Sequence, residues 1–283
     1  MTDETPHVTY DHSGKTAVIT GATTGIGRAI GLALGGAGAT IVVDHLNDPS
    51  GAKATVEEIR DLGGNAIAVQ ADVSKPEQVK HLFAEAAKST GSIDILVNNA
   101  SVEVNKYVWE MEDEEYRKVL ANSLDSVFYC TKYVLPYMIP RKSGKIINIS
   151  SIHDTVPRIM ASPYCASKAG LLMLTKVFAL ELAPFNIQVN AVSPGVVMTE
   201  RTGHVWERNE LNKLGHAVIE ANPYKRAGVV GEIVEPVLYL CSPFSGYTNG
   251  TTLYVDGGYR LHVSPLREGD PYPHLDGLKE TTQ

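Results

Sequence analysis

The chain has 283 residues, 43% apolar and 20% charged, with a formal net charge of -7 at pH 7. That is enough chain for one large domain or two small ones, and an acidic balance without a basic stripe argues against nucleic acid as a partner. No apolar run reaches membrane-spanning length, and the polar first residues lack the apolar segment of a secretory signal.

Residues 1–13 read as a flexible N-terminal tail. Beyond them, β-branched runs and stretches of helical periodicity alternate. Strand-like runs fall at 16–20, 40–43, 66–69, 93–97, 146–149, 187–192 and 251–255. Amphipathic stretches at 26–34, 52–62, 77–88, 116–138 and 169–182 carry helical spacing. Near-continuous apolar strands alternating with helices imply a parallel sheet covered on both faces. Seven strands fit one α/β domain over 14–258, a doubly wound (Rossmann) seven-stranded parallel sheet. Two segments break the rhythm. An insertion at 199–226 has the length of a lid, and a polar extension with prolines occupies 259–283.

The three cysteines, Cys130, Cys165 and Cys241, are odd in number and widely spaced. That usage fits a reducing, cytoplasmic compartment and no disulfide framework. None of the nine histidines falls in a metal-ligand spacing, so no metal site is expected.

Directly after the first strand comes Thr20-Gly21-Ala22-Thr23-Thr24-Gly25-Ile26-Gly27, running into a helix. Glycines let the backbone approach a pyrophosphate, and the helix N-terminus offers free N–H groups with a positive dipole end. Farther along, Tyr164 and Lys168 stand one helical turn apart, downstream of the pair Ser150-Ser151. A free phenol titrates near pKa 10. An ammonium on the same helix face favours the phenolate. Lowering that pKa by about three units takes roughly 4 kcal/mol, which an ammonium in a partly dry site, helped by a cationic nicotinamide ring, can supply. Taken alone, the pair reads more readily as a solvated face with a snorkelling lysine.

Its company changes the reading. Residues 20–27, Asp72-Val73, Asn98-Asn99-Ala100, Asn122, Ser151, Tyr164 with Lys168, and Pro194-Gly195 followed by Thr199 resemble, in order and spacing, the short-chain dehydrogenase/reductase superfamily. The resemblance covers about residues 15–258. It implies Tyr164 as catalytic acid/base, Ser151 as partner of the reacting oxygen, and Lys168 as ribose ligand and promoter of the phenolate. Asn122 would hold a water linking the lysine to solvent. Asp72 and Val73 would contact adenine, and Asn98, Asn99 and Ala100 would line the adenosine ribose side. Pro194, Gly195, Val197 and Thr199 would embrace the nicotinamide. One residue departs from the family pattern: Ser101 stands where glycine is usual, which puts the ordinary pocket geometry in question.

An acidic residue at the end of the second strand accepts hydrogen bonds from the adenosine ribose and repels a 2′-phosphate. Asp44 sits one place before that position and His45 fills it. With no basic residue beside them, NAD is the expected cofactor and NADP the alternative. Within the superfamily, Glu103, His153 and the tail after Gly258 resemble the bacterial glucose 1-dehydrogenase branch, where matching positions face a sugar. Glu103 and His153 read equally well as ordinary loop residues.

The expected activity is hydride transfer between NAD(P) and a secondary alcohol or carbonyl of a small molecule, a sugar or polyol. The alternatives are a carbonyl reductase of the 3-oxoacyl type and a non-catalytic nucleotide sensor. Helical stretches 116–138 and 169–182, apolar around much of their circumference, need cover on their outer side, and the resemblance implies a homotetramer. His204 and Trp206 in the lid are further candidate contacts.

Overall fold

The structure, a computed structural model, describes residues 10–199, 202 and 221–261. Strands β1 (Thr16–Ile19), β2 (Thr40–His45), β3 (Asn65–Gln70), β4 (Ile95–Asn98), β5 (Gly144–Ile149), β6 (Ile187–Pro194) and β9 (Thr252–Val255) form one sheet. Their order is β3-β2-β1-β4-β5-β6-β9, and every pairing is parallel. This is the expected seven-stranded Rossmann sheet. A short parallel pair, β7 (Val197–Met198) with β8 (Gly228–Val229), joins the two ends of the 199–226 insertion. His204 and Trp206 lie outside the described residues.

Successive strand residues point to opposite faces, and both faces are apolar. Ile19, Ile41, Val43 and Val97 pack under α1 (Gly25–Gly36), α2 (Pro49–Asp61) and α7 (Val230–Cys241). Val18, Val42, Leu96 and Ile146 pack under α3 (Pro76–Thr90), α5 (Ser126–Met138) and α6 (Ser162–Leu182). Each fully buried aliphatic side chain contributes roughly 1.5–3 kcal/mol. Strand order reverses between β1 and β4, and the crevice at the carboxyl ends of such strands is where ligands bind.

Three local features differ from the periodicity-based reading. The stretch at 116–138 is not one helix: α4 (Asp113–Leu120) passes through a π turn, Ala121–Asp125, into α5. Such turns recur at functional sites. Helix α6 starts at Ser162, well before residue 169, with Pro163 in its first turn. That start puts Tyr164 and Lys168 on the first turns of the helix. Finally, Tyr10 and His12 fall in the stretch read as a tail, yet Tyr10 packs on the apolar core and His12 is 2% exposed.

Candidate active site

The glycine turn is fixed by its neighbours. Gly21 and Gly25 have φ of 61° and 56°, a region side-chain-bearing residues avoid. A Cβ on Gly27 would lie 2.3 Å from Asn99 Nδ2 and 2.5 Å from the Gly21 oxygen. Asn99 Nδ2 donates to the carbonyl oxygens of Thr20 and Gly21, each at 2.9 Å. Helix α1 therefore starts hard against the loop after β4, with its N-terminus facing a cleft of about 1840 Å³. Gly21, Thr23, Thr24, Gly25, Ile26, Asn99 and Ala100 line this end of the cleft. A cradle in which a single Cβ would clash, set at a helix N-terminus, fits a dinucleotide pyrophosphate.

Asp72 and Val73 line the cleft as expected, with Asp72 Oδ1 accepting from both the Ser74 N–H and hydroxyl. Asn98 does not reach the cleft. Its Nδ2 donates 2.8 Å to Asn148 Oδ1, and Asn148 Nδ2 donates 2.9 Å to Thr175 Oγ1, a buried chain joining β4, β5 and α6. Asp44 and His45 line the cleft too. Asp44 Oδ2 accepts from the Gly21 N–H at 3.2 Å, and the residue is 2% exposed. Burial pushes its carboxyl up to about 7. The carboxyl braces the glycine turn from beneath, while Asp44 Oδ1 and His45 Nδ1 have no partner among the described residues.

The three side chains expected to be catalytic, Ser151, Tyr164 and Lys168, meet where β5 ends. Ser151 leads into a 3₁₀ turn, Ile152–Asp154. The first turn of α6 brings Tyr164 into the same cleft as Ser151. Lys168 is buried; its Nζ donates 2.9 Å to the Ile149 carbonyl and lies 5.5 Å from the Tyr164 ring centre. Burial pushes the Tyr164 phenol above its ordinary value and Glu103 adds to this, while Ser151 and the Arg158 guanidinium pull it down. Burial lowers Lys168 to about 8, and Asp154 and Glu103 work against that fall. Desolvation thus outweighs the Ser151 side chain and the Arg158 guanidinium at the phenol.

At the substrate end, Arg158 ion-pairs with Glu103, donates 2.9 Å to Asn105 Oδ1, and lies 5.7 Å from the Tyr164 ring centre. His153 Nδ1 faces the Val156 carbonyl at 2.9 Å, so the carbonyl fixes the proton there and leaves Nε2 unprotonated. Burial lowers the His153 pKa. Pro194, Gly195, Val197 and Thr199 line the same cleft. Asn122 lines it too, but its Nδ2 donates back to the Lys118 carbonyl at 2.9 Å. The buried residue of the π turn is Ser123. Its hydroxyl donates to the Val102 carbonyl at 3.1 Å, accepts from the Val102 N–H at 3.2 Å, and meets Ser101 Oγ at 3.0 Å. Ser101, the departure from the family pattern, is thereby tied to the π turn. Sequence reasoning passed over Arg158, Asn105, Ser123 and Asp154; a lone arginine between Ser151 and Tyr164 was the one available signal.

A family model described as enoyl-(acyl carrier protein) reductase matches residues 21–260. The chain belongs to the short-chain dehydrogenase/reductase family. A 3β-hydroxysteroid dehydrogenase 1 from Eggerthella lenta is 39% identical over 253 residues, 89% of this chain and 96% of the relative. A 3-oxoacyl-(acyl-carrier-protein) reductase from Staphylococcus epidermidis is 37% identical, with coverages of 86% and 98%. Glucose 1-dehydrogenase 2 from Bacillus subtilis is 36% identical, with coverages of 90% and 98%. A solved structure from Agrobacterium tumefaciens, provisionally named a 2-deoxy-D-gluconate 3-dehydrogenase and holding NADP, matches with a TM-score of 0.81. It is 32% identical and covered over 100% of its length, against 90% of this chain. The short-chain dehydrogenase/reductase described here is therefore an oxidoreductase of a family that uses NAD(P). Among its described residues no helix is long and apolar enough to cross a membrane, and no three potential metal ligands cluster.

Proposed function

We propose that this enzyme transfers a hydride between NAD and the CH–OH carbon of a polyhydroxylated small molecule, a sugar or polyol. The polar group at the substrate end carries the reading: Glu103, Asn105 and Arg158 on one side and His153 on the other, all lining the cleft beside Tyr164. Such a polar wall favours a substrate rich in hydroxyls, which can pair with its spare donors and acceptors, over an apolar one that only desolvates it. When bound in the glycine cradle, the nicotinamide ring supplies the hydride acceptor. In the oxidative direction Ser151 holds the substrate oxygen, Tyr164 takes the hydroxyl proton, and Lys168 favours the phenolate. Asn122 stands at the cleft wall as the candidate holder of a water leading out to solvent.

The end of β2 offers no lysine or arginine between Thr40 and Asp48 to receive a 2′-phosphate, which supports NAD; the NADP in the Agrobacterium structure keeps the other cofactor in the test. Exposed apolar side chains on α5 and α6, namely Phe128, Met173, Val177 and Leu180, support assembly as a homotetramer. Three unpaired cysteines fit a reducing cytoplasm.

A second reading rests on Ile159, 79% exposed at the cleft rim, and on Met160 beside it. Those side chains favour an apolar ketone, as for a 3-oxoacyl reductase. A steady-state screen of sugars, polyols, 3-oxoacyl thioesters and ketosteroids with both cofactors separates the two. The sugar reading requires the highest kcat/KM on a sugar or polyol with NAD; a higher value on an apolar ketone replaces it with the second.

A further inference from the structure

Asp154 closes the 3₁₀ turn after Ser151, and its carboxylate is almost fully buried. Its partners come from the ends of three neighbouring strands. Oδ2 accepts from Ser150 Oγ at 3.1 Å and from Ser193 Oγ at 2.6 Å, and Oδ1 accepts from the Tyr254 hydroxyl at 3.1 Å. Ser150 follows β5, Ser193 lies in β6 and Tyr254 in β9. All three donors are neutral hydroxyls, and among the described residues no cation lies within salt-bridge distance of Asp154.

A buried carboxylate without a contacting cation is expensive to keep. Three hydroxyls satisfy its lone pairs but do not neutralise its charge. A neutral acceptor would serve the same three hydroxyls, so the charge calls for an explanation of its own. The buried cation on the same strand end is Lys168, which hangs from the carbonyl of Ile149, next to Ser150. Of the carboxylates that act on Lys168, Asp154 is the stronger and Glu103 the weaker.

We propose that Asp154 is a positioning residue of the reaction: it fastens the Ser151 turn to the ends of β5, β6 and β9, and its charge keeps the Lys168 ammonium protonated beside Tyr164. The first half follows from the contacts, because Asp154 N–H also donates to the Ser151 carbonyl at 2.9 Å. The second half follows from placement. Lys168 Nζ hangs from the Ile149 carbonyl, one residue before Ser150, whose hydroxyl donates to Asp154, so the carboxylate and the desolvated ammonium share one strand end. The other groups facing this region are Tyr164 and Cys165 on α6, Glu103 after β4, His153 and Arg158 after β5, and Tyr254 on β9, whose ring carries Arg260 at 3.9 Å. Glu103 is matched by Arg158, which leaves Asp154 as the unmatched anion.

The inference rests on the oxidoreductase reading, and its test does not depend on turnover alone. The Lys168 ammonium is titrated by ¹⁵N NMR in lysine-labelled parent enzyme, D154N and D154E, assigned with a Lys168→Arg control. D154N should lose the Lys168 proton about one unit lower in pH, a tenfold change in its protonation equilibrium. D154E should restore it. The alkaline limb of kcat/KM against pH should move the same way. An unmoved Lys168 titration in folded D154N overturns the proposal, whereas a parent enzyme inactive on every substrate overturns only the functional reading. If D154N does not fold, Ser193→Ala and Tyr254→Phe replace it. Each removes a hydroxyl and keeps the charge, so each should lower the melting temperature and leave the titration in place. A Lys168 shift as large as one unit in those variants would overturn the role of the charge.

Discussion

The Lys168 ammonium donates to the Ile149 carbonyl at 2.9 Å, so the lysine facing Tyr164 hangs from the last residue of β5. With burial lowering Lys168 to about 8, its charge is present below that pH and lost above it. Oxidation needs that charge beside the phenolate. The pH profile of kcat/KM should therefore fall on its alkaline side from about pH 8, and a rate still rising to pH 10 would contradict the assignment. Tyr164→Phe removes the proton carrier and keeps the ring. It should cost about 10²–10⁴-fold in kcat, the usual yield of acid–base catalysis. Cofactor affinity, read by fluorescence titration, should stay within a few-fold.

Asp44 makes a prediction about stability. Burial pushes its carboxyl up to about 7 in the folded protein, from an ordinary 3.8. Between those pH values the folded state holds the proton that the unfolded chain has released. Stability therefore falls as pH rises through this window, and the contribution is fully present only below it. Three units would correspond to about 4 kcal/mol, an upper figure for so buried a group. Asp44→Asn removes the ionisation and keeps an oxygen for the Gly21 N–H. Thermal melts at pH 5 and pH 8 should show the variant gaining on the parent at pH 8. The same variant tests cofactor reading: a carboxyl spent on the glycine turn leaves the NAD-to-NADP efficiency ratio within a few-fold. A tenfold move would return Asp44 to the ribose.

The glycine turn, Ser151, Tyr164 and Lys168 were legible in the sequence because each is tied to a local requirement: positive φ at Gly21 and Gly25, or one helical turn between two side chains. The sheet was legible because strands buried on both faces are rich in apolar residues, as Ile95, Leu96 and Val97 are in β4. What escaped depends on partners far along the chain. Arg158 meets Glu103 across 55 residues and Asp154 meets Tyr254 across 100, and no local pattern encodes either pairing. The bond from the Gly21 N–H to Asp44 escaped for the same reason, since it spans 23 residues. The π turn escaped because apolar periodicity runs through residues 116–138 without a break.

Ser123 and Asn122 make opposite predictions. Ser123 is 1% exposed and satisfies both the N–H and the carbonyl of Val102. Ser123→Ala leaves those half-buried groups and the Ser101 hydroxyl short of a partner, at a cost of about 1 kcal/mol per hydrogen bond lost. The loop it holds leads directly into Glu103, so KM for substrate should rise along with the loss of stability. Asn122→Ala removes only a bond to the Lys118 carbonyl on its own helix. It should leave the melting temperature within a degree or two, and any loss should appear in kcat if the side chain holds a proton-conducting water. Equal melting temperatures for the two variants would contradict the anchoring role of Ser123.

The ion pair between Arg158 and Glu103 tests substrate class. Glu103 is engaged with Arg158, and Arg158 is shared with Asn105, so the three side chains form one polar wall beside Tyr164. Glu103→Gln keeps the shape and removes the charge that balances Arg158. On a sugar or polyol it should raise KM about tenfold, since a hydrogen bond to a charged group contributes about 1.5–3 kcal/mol. On a simple ketone that never touches the wall, KM should hold. Arg158→Gln should instead act on the reaction as well, because the guanidinium helps to pull the Tyr164 phenol down. Its loss should move the acidic limb of the oxidative pH profile upward. Steady-state kinetics from pH 6 to pH 10 on both substrate types separates the effects. If Glu103→Gln raises KM equally for polyol and ketone, the wall shapes the loop and does not read hydroxyl groups.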